Sequence, residues 1–161
     1  VLADEGVDLL LCETFPNAIE AVVAVEEAAR TGLETWVALT AGPLASLMTP
    51  AEMAHAARLC VEAGAHAVLV GCTPALRTLP FVERLAEIGV PTGAYANAGR
   101  EDDAIGWSAD PNEGARTYAS LALGWVAAGA SIVGGCCGTR PEHVAELARR
   151  LQRTSRTSTR P

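Results

Sequence analysis

No apolar stretch of this chain approaches the roughly 20 residues that a membrane-spanning helix needs. Its uncharged apolar runs are short and end at Gly or Pro. Basic charge is scarce as well: 12 Lys and Arg stand against 19 Asp and Glu, for a formal net charge of −7. Neither a membrane nor a nucleic acid is therefore expected as a partner, the latter because it favours a basic face. The start Val1-Leu2-Ala3-Asp4-Glu5 lacks a basic region followed by an apolar one, so no signal peptide is expected. It also lacks a Met, which fits a chain that begins inside a longer gene product. The five cysteines are odd in number and do not have the regular spacing of a secreted disulfide scaffold. A reducing cytoplasm, where thiols stay free for packing or metal, suits them best. No GxGxxG follows an apolar run, which counts against a dinucleotide fold. No Ser-His-Asp constellation and no paired general acid and base is visible.

What is present is a regular cadence. Half of the 161 residues are apolar, enough for one domain with a core. Short apolar runs at residues 7–13, 34–40, 66–72, 91–97 and 130–136 read as strands. Amphipathic stretches at about 18–29, 50–63, 74–88, 111–128 and 140–151 read as the helices that follow them. Continuous apolar strands alternating with such helices predict parallel β/α units covered on both faces. Thr49-Pro50-Ala51-Glu52 and Thr139-Arg140-Pro141-Glu142 read as capping boxes, with Asp110-Pro111 and Thr73-Pro74 as weaker starts. Gly32, Gly64, Gly89 and Gly129 stand where helices should end. Residues 1–152 thus read as one unit and 153–161, polar and unpatterned, as a solvated tail. The fold class expected is α/β: either an open sheet or about five of the eight units of a (β/α)8 TIM barrel.

In such sheets the ligand site lies at the C-terminal ends of the strands. The expected strand ends carry Glu13-Thr14, Thr40, Cys72-Thr73, Asn97 and Cys136-Cys137. Three cysteines converging on one face predict a metal site, with zinc in tetrahedral thiolate coordination and its fourth position open. Gly134, Gly135 and Gly138 permit the sharp turn that lets adjacent Cys136 and Cys137 both act as ligands. Glu13 is placed either to bind a substrate ammonium or to cap the next helix. Asn97 is placed either to bind substrate or to start a turn. Cys12, of opposite strand parity to Glu13, should face the helix layer, and Cys60 should pack inside a helix. His66 sits at the wrong end of its strand, while His55 and His143 are expected to be solvent-exposed on helices.

ETFPN at 13–17, VGCTP at 70–74, YANAG at 95–99 and GGCCGT at 134–139 together resemble the homocysteine S-methyltransferase family. Their order matches the second half of that catalytic domain. The resemblance implies a zinc-containing (β/α)8 barrel, of which this chain supplies strands four to eight. It implies transfer of a methyl group to the sulfur of L-homocysteine through a zinc-bound thiolate, giving methionine. Cys72, Cys136 and Cys137 would be the zinc ligands, Glu13 would hold the substrate amino group, and Asn97 would lie in a turn beside the site. Where family members commonly read YPNSGE, this chain reads Tyr95-Ala96-Asn97-Ala98-Gly99-Arg100-Glu101. The methyl donor is not specified: S-methylmethionine, betaine and methylfolate all serve in the wider family. Two exposed strand edges would invite the missing N-terminal half or self-association, and the chain alone is expected to bind zinc weakly and turn over poorly. The competing expectations are a phosphate-binding barrel enzyme, through the glycines before the last helix, and a non-catalytic metal-binding half-barrel.

Overall fold

Five parallel strands form one sheet in the order in which they occur: β1 (Leu9–Phe15), β2 (Glu34–Leu39), β3 (Ala67–Pro74), β4 (Thr92–Asn97) and β5 (Ile132–Gly135). The computed structural model describes residues 2–99, 104–107 and 110–158, the last five by backbone alone. The connecting helices are α1 (Ala18–Ala29), α2 (Pro50–Glu62), α3 (Leu79–Leu85) and α4 (Pro111–Ala127), and α5 (Pro141–Ser158) closes the series. Each helix packs on the next in chain order, so all lie on one face of the sheet. A parallel sheet covered by consecutive right-handed crossovers on one face curls toward a barrel. The α/β class and partial-barrel architecture expected from the sequence are thus what is found.

Strand parity divides the side chains. Cys12, Val37, Val68, Val70, Ala94 and Ala96 enter the core shared with the helices, where Val37, Val68 and Val70 are fully buried. The other face carries Leu11, Trp36, Leu69, Gly71, Gly93 and Tyr95, in register across the strands. It is less fully covered: Leu11 remains 37% exposed. Among the described residues, β1 and β5 each pair on one side only.

The local signals act as chemistry dictates, with exceptions. Thr49 and Glu52 form the full capping box, and Asp110 accepts from the amides of Asn112 and Glu113. Gly32, Gly64, Gly89 and Gly129 all take left-handed backbone at helix ends. Gly64 is doubly required, since a Cβ there would lie 2.9 Å from the Ala29 Cβ on the neighbouring helix.

The Thr139 box does not form: its hydroxyl turns back to the Cys136 carbonyl, and His143 Nδ1 accepts from the Arg140 amide instead. Thr73 is no cap either, because it lies within β3 and its hydroxyl accepts from the Ala41 amide. The single helix expected over 74–88 is split into a 3-10 turn at Ala75–Arg77, α3, and a second 3-10 turn at Ala86–Ile88. Pro80 lacks the N–H that would bond back, and the Thr78 hydroxyl donates to the Pro74 carbonyl at 3.0 Å. α5 runs on to Ser158 where an end near Leu151 was expected. Arg, Thr and Ser are not helix stops, and no Gly or Pro intervenes. Residues 159–161 of the expected tail lie outside the described residues. Among the described residues no helix is long and apolar enough to cross a membrane.

Candidate metal centre

Two irregularities in the sheet build the site. The β1–β2 register shifts between Cys12 and Phe15, and the β3–β4 register shifts between Gly71 and Pro74. Such bulges bend a strand and re-aim side chains. The first holds Glu13-Thr14 and the second Cys72-Thr73. Cys72 itself has φ 49°, left-handed backbone that is uncommon for a residue with a Cβ. That strain is of the kind concentrated at functional sites.

Cys136 and Cys137 follow β5. The Cys136 amide donates to the Ala96 carbonyl, and the Ala98 amide donates to the Cys137 carbonyl at 2.7 Å. The turn is completed by Gly138, at φ 79°. A Cβ on Gly138 would lie 2.5 Å from both the Ala98 carbonyl carbon and the Gly99 nitrogen. Gly138 therefore lets the loop lie directly on the turn after β4.

These elements bring the three cysteines together as the sequence predicted. Their sulfurs all lie within 4.8 Å of one another, with Cys72 Sγ 3.6 Å and Cys136 Sγ 3.9 Å from Cys137 Sγ. Tetrahedral thiolates about 2.3 Å from one zinc ion stand about 3.8 Å apart, so the donor set and its spacing fit zinc. All three are free thiols, Cys72 and Cys136 half-buried and Cys137 exposed. Burial, then hydrogen bonding and charge from Cys136 and Cys137, push the Cys72 thiol up to about 12. A cation favours the ionised form of such a group and is what would allow the cluster to become thiolates together.

Glu13 is exposed, on the bulge of β1. The helix-capping alternative for it is excluded, because Asn17 caps α1 by accepting from the Glu20 amide. The Asn97 side-chain oxygen accepts from the Gly99 amide at 2.6 Å, so this residue does build the turn. Arg100 and Glu101 lie outside the described residues. Cys12 faces the helix layer, its thiol directed to the Ala24 carbonyl, and Cys60 is fully buried. His55 is exposed as expected.

His143 is not exposed but 1% accessible. Its Nδ1 takes the Arg140 amide, so its Nε2–H donates to the Ile105 carbonyl at 2.7 Å. With Arg140 donating to the Trp107 carbonyl, it ties residues 104–107 to α5. Sequence periodicity placed this His on a helix but carried no sign of the carbonyl it meets.

Two tyrosines also escaped the sequence reading. The Tyr118 hydroxyl accepts from the Ala96 amide at 3.0 Å and reaches the Gly134 carbonyl at 2.8 Å and the Ala96 carbonyl at 3.0 Å. It bridges the amide and carbonyl that a parallel β4–β5 ladder would pair, immediately before Cys136. Tyr95, two residues before Asn97, sits on the sheet face away from the helix-side core with its hydroxyl over Gly71. Its parity with Asn97 was the available signal.

Comparison with known proteins agrees with this arrangement. Residues 1–151 match the profile described as Homocysteine S-methyltransferase. The homocysteine S-methyltransferase YbgG of Bacillus subtilis is 30% identical over 151 residues, 91% of this chain and 48% of that protein. A selenocysteine methyltransferase of Astragalus bisulcatus is 32% identical over 89% of this chain and 44% of its own length. Among solved structures, the oxidized form of the homocysteine methyltransferase MmuM from Escherichia coli superposes with TM-score 0.70 at 27% identity, over 92% of this chain and 47% of that one. The chain spans about half the length of the relatives it matches. A profile match over nearly the whole chain, a shared fold and a strand-end cysteine cluster lead to one assignment: the chain belongs to the homocysteine S-methyltransferase family.

Proposed function

We propose that Cys72, Cys136 and Cys137 hold a zinc ion at which L-homocysteine binds through sulfur, and that this site serves methyl transfer to that sulfur, giving methionine. The observation that carries the reading is the sulfur triangle, whose 3.6 Å and 3.9 Å edges suit a single tetrahedral ion. Zinc bound there would act as a Lewis acid, lowering the pKa of a thiol in its fourth position so that it is a nucleophile at neutral pH. Glu13 takes the substrate ammonium. The amide group of Asn97, whose oxygen is committed to the turn, donates to the same ligand. In the transfer the bond from homocysteine sulfur to the methyl carbon forms as the donor's bond to that carbon breaks, and the donor keeps the electron pair. No general base among the protein's side chains is needed.

In the same proposal the five strands take positions four to eight of a (β/α)8 barrel. The chain by itself then binds zinc weakly and turns over poorly, because one wall of the pocket lies elsewhere. The competing phosphate reading is disfavoured by the loop: the Thr139 and Arg140 amides are already bonded to Cys136 O and His143 Nδ1.

The test is zinc content by mass spectrometry, in zinc-supplemented buffer, for the wild type and for Cys72→Ser, Cys136→Ser and Cys137→Ser. The wild-type chain is expected to approach one ion only when zinc is in excess, and each variant to take up far less at the same zinc concentration. Full zinc content in Cys72→Ser would sink the assignment. X-ray absorption should then report a fourth sulfur on adding homocysteine, and S-methylmethionine, betaine and methylfolate can be tried in turn as donors with the longer protein.

A further inference from the structure

We propose that Tyr95 is a positioning residue of this site: its hydroxyl donates to the Glu13 carboxylate and fixes that carboxylate where the ammonium of a thiol amino acid binds. The inference rests on the homocysteine reading above and adds a residue to it.

Among the described residues, the Tyr95 hydroxyl is the buried side-chain polar atom that has no hydrogen-bond partner. A buried donor left unpaired is costly, so its partner is expected to arrive with the ligand. The position of the ring is built in. Gly71 lacks the Cβ that would otherwise lie 2.7 Å from Tyr95 Oη and 2.5 Å from Thr14 Cγ2. The hydroxyl therefore lies against the residue that follows Glu13, above the residue that precedes Cys72.

Burial comes first among the causes that hold this phenol above its ordinary range, and the Glu13 carboxylate comes next. Glu13 directly precedes Thr14, whose methyl shares the space above Gly71 with this hydroxyl, so the carboxylate is its neighbour, although the two do not meet hydrogen-bond geometry here. A phenol hydroxyl carries one proton, and here that proton is the one offered to the carboxylate. Glu13, exposed on a bulge, has freedom to swing onto it. The Tyr95–Glu13 pair would hold the ammonium end of the ligand while the cysteine cluster holds the sulfur end.

The experiment compares two ligands on the zinc-loaded protein by calorimetry: L-homocysteine, and 4-sulfanylbutanoate, which has the same thiol and carboxylate but no amino group. Tyr95→Phe is expected to weaken homocysteine roughly tenfold or more, the usual effect of losing a hydrogen bond to a charged group. Binding of 4-sulfanylbutanoate should stay within about twofold of wild type on the same argument, and zinc content should be unchanged. Equal loss for both ligands, or no loss for either, would overturn the inference. Failure of both ligands to bind with zinc in place, in this chain and equally in a protein that completes the eight-strand barrel, would overturn the homocysteine reading itself, and this inference with it. Should the variant lose zinc or fold, the wild type supplies the answer through carbon-13 at tyrosine Cζ. The chain has two tyrosines, and the Tyr95 signal should move with homocysteine and stay still with the analogue. A signal that responds equally to both refutes the role.

Discussion

Gly138 and Gly32 have nearly the same backbone, φ 79° and φ 77°, but different surroundings. A Cβ at Gly32 meets nothing within 4 Å, whereas one at Gly138 meets the backbone of Ala98 and Gly99 at 2.5 Å. Replacing each by Ala therefore separates conformational strain from steric conflict. Placing an L-residue in left-handed backbone costs about 1–2 kcal/mol at either position. At Gly138 the Cβ strikes main chain, which has no rotamer with which to yield. Overpacking of that kind adds about 1–3 kcal/mol. Gly138→Ala should thus be less stable than Gly32→Ala by about 1–3 kcal/mol in urea denaturation of the zinc-free chain. The conflict also lies between Cys137 and the turn that holds Asn97, where the Ala98 amide meets the Cys137 carbonyl. Gly138→Ala should accordingly lose zinc affinity, while Gly32→Ala keeps it. If the two variants match in stability and both bind zinc like the wild type, the close apposition of these loops is wrong.

Other perturbations follow from single contacts. Tyr118→Phe removes the hydroxyl that serves Ala96 and Gly134, and should destabilise by about 1–3 kcal/mol because it leaves a buried amide short of a partner; a thermal melt shows it. If the proposed function holds, Glu13→Gln in a barrel completed to eight strands should raise KM for homocysteine by about 10–100-fold with a smaller change in kcat, as loss of a charged hydrogen bond to bound substrate predicts. Steady-state kinetics with a fixed donor reads this, and an unchanged KM would remove Glu13 from the site. Burial first, and the charge of Cys12 second, push the Cys60 thiol from 9.0 up to about 11. An unfolded chain ionises this thiol near the lower value and the folded chain resists, so stability is full below pH 9 and is lost as pH rises from 9 through 11. Cys60→Ala should flatten that alkaline loss in denaturation curves collected across the window.

The strands and most helices were legible because their signals are local. The run Val68-Leu69-Val70 cannot be other than buried, and Thr49 and Glu52 complete their box within one turn of helix. The cysteine cluster was legible for a related reason: strand ends in a parallel sheet share one rim. What stayed hidden depends on neighbours distant in sequence. Simple alternation cannot show that bulges at Glu13-Thr14 and Cys72-Thr73 displace the register, since the extra residue is defined only against the partner strand. Thr139 looked like a cap, but the hydroxyl found the Cys136 carbonyl and left the helix start to His143. Burial of His143 follows from the Ile105 carbonyl 38 residues away, which no periodicity encodes. Pro80 did carry a readable sign that the helix after β3 is interrupted, because a proline fits only the first turn of a helix.

The Tyr118 bridge has a consequence for exchange with deuterated water. An amide in a sheet normally reports the opening of its own ladder. The Ala96 amide stands in the β4–β5 ladder and also meets a hydroxyl carried by α4, so its exchange responds to loosening of that helix as well as to opening of the ladder. The reporting amide lies on the strand whose next carbonyl receives Cys136. Slow exchange at Ala96, quickened by any change that loosens α4, would make one backbone proton a gauge of the rim on which the cysteines stand.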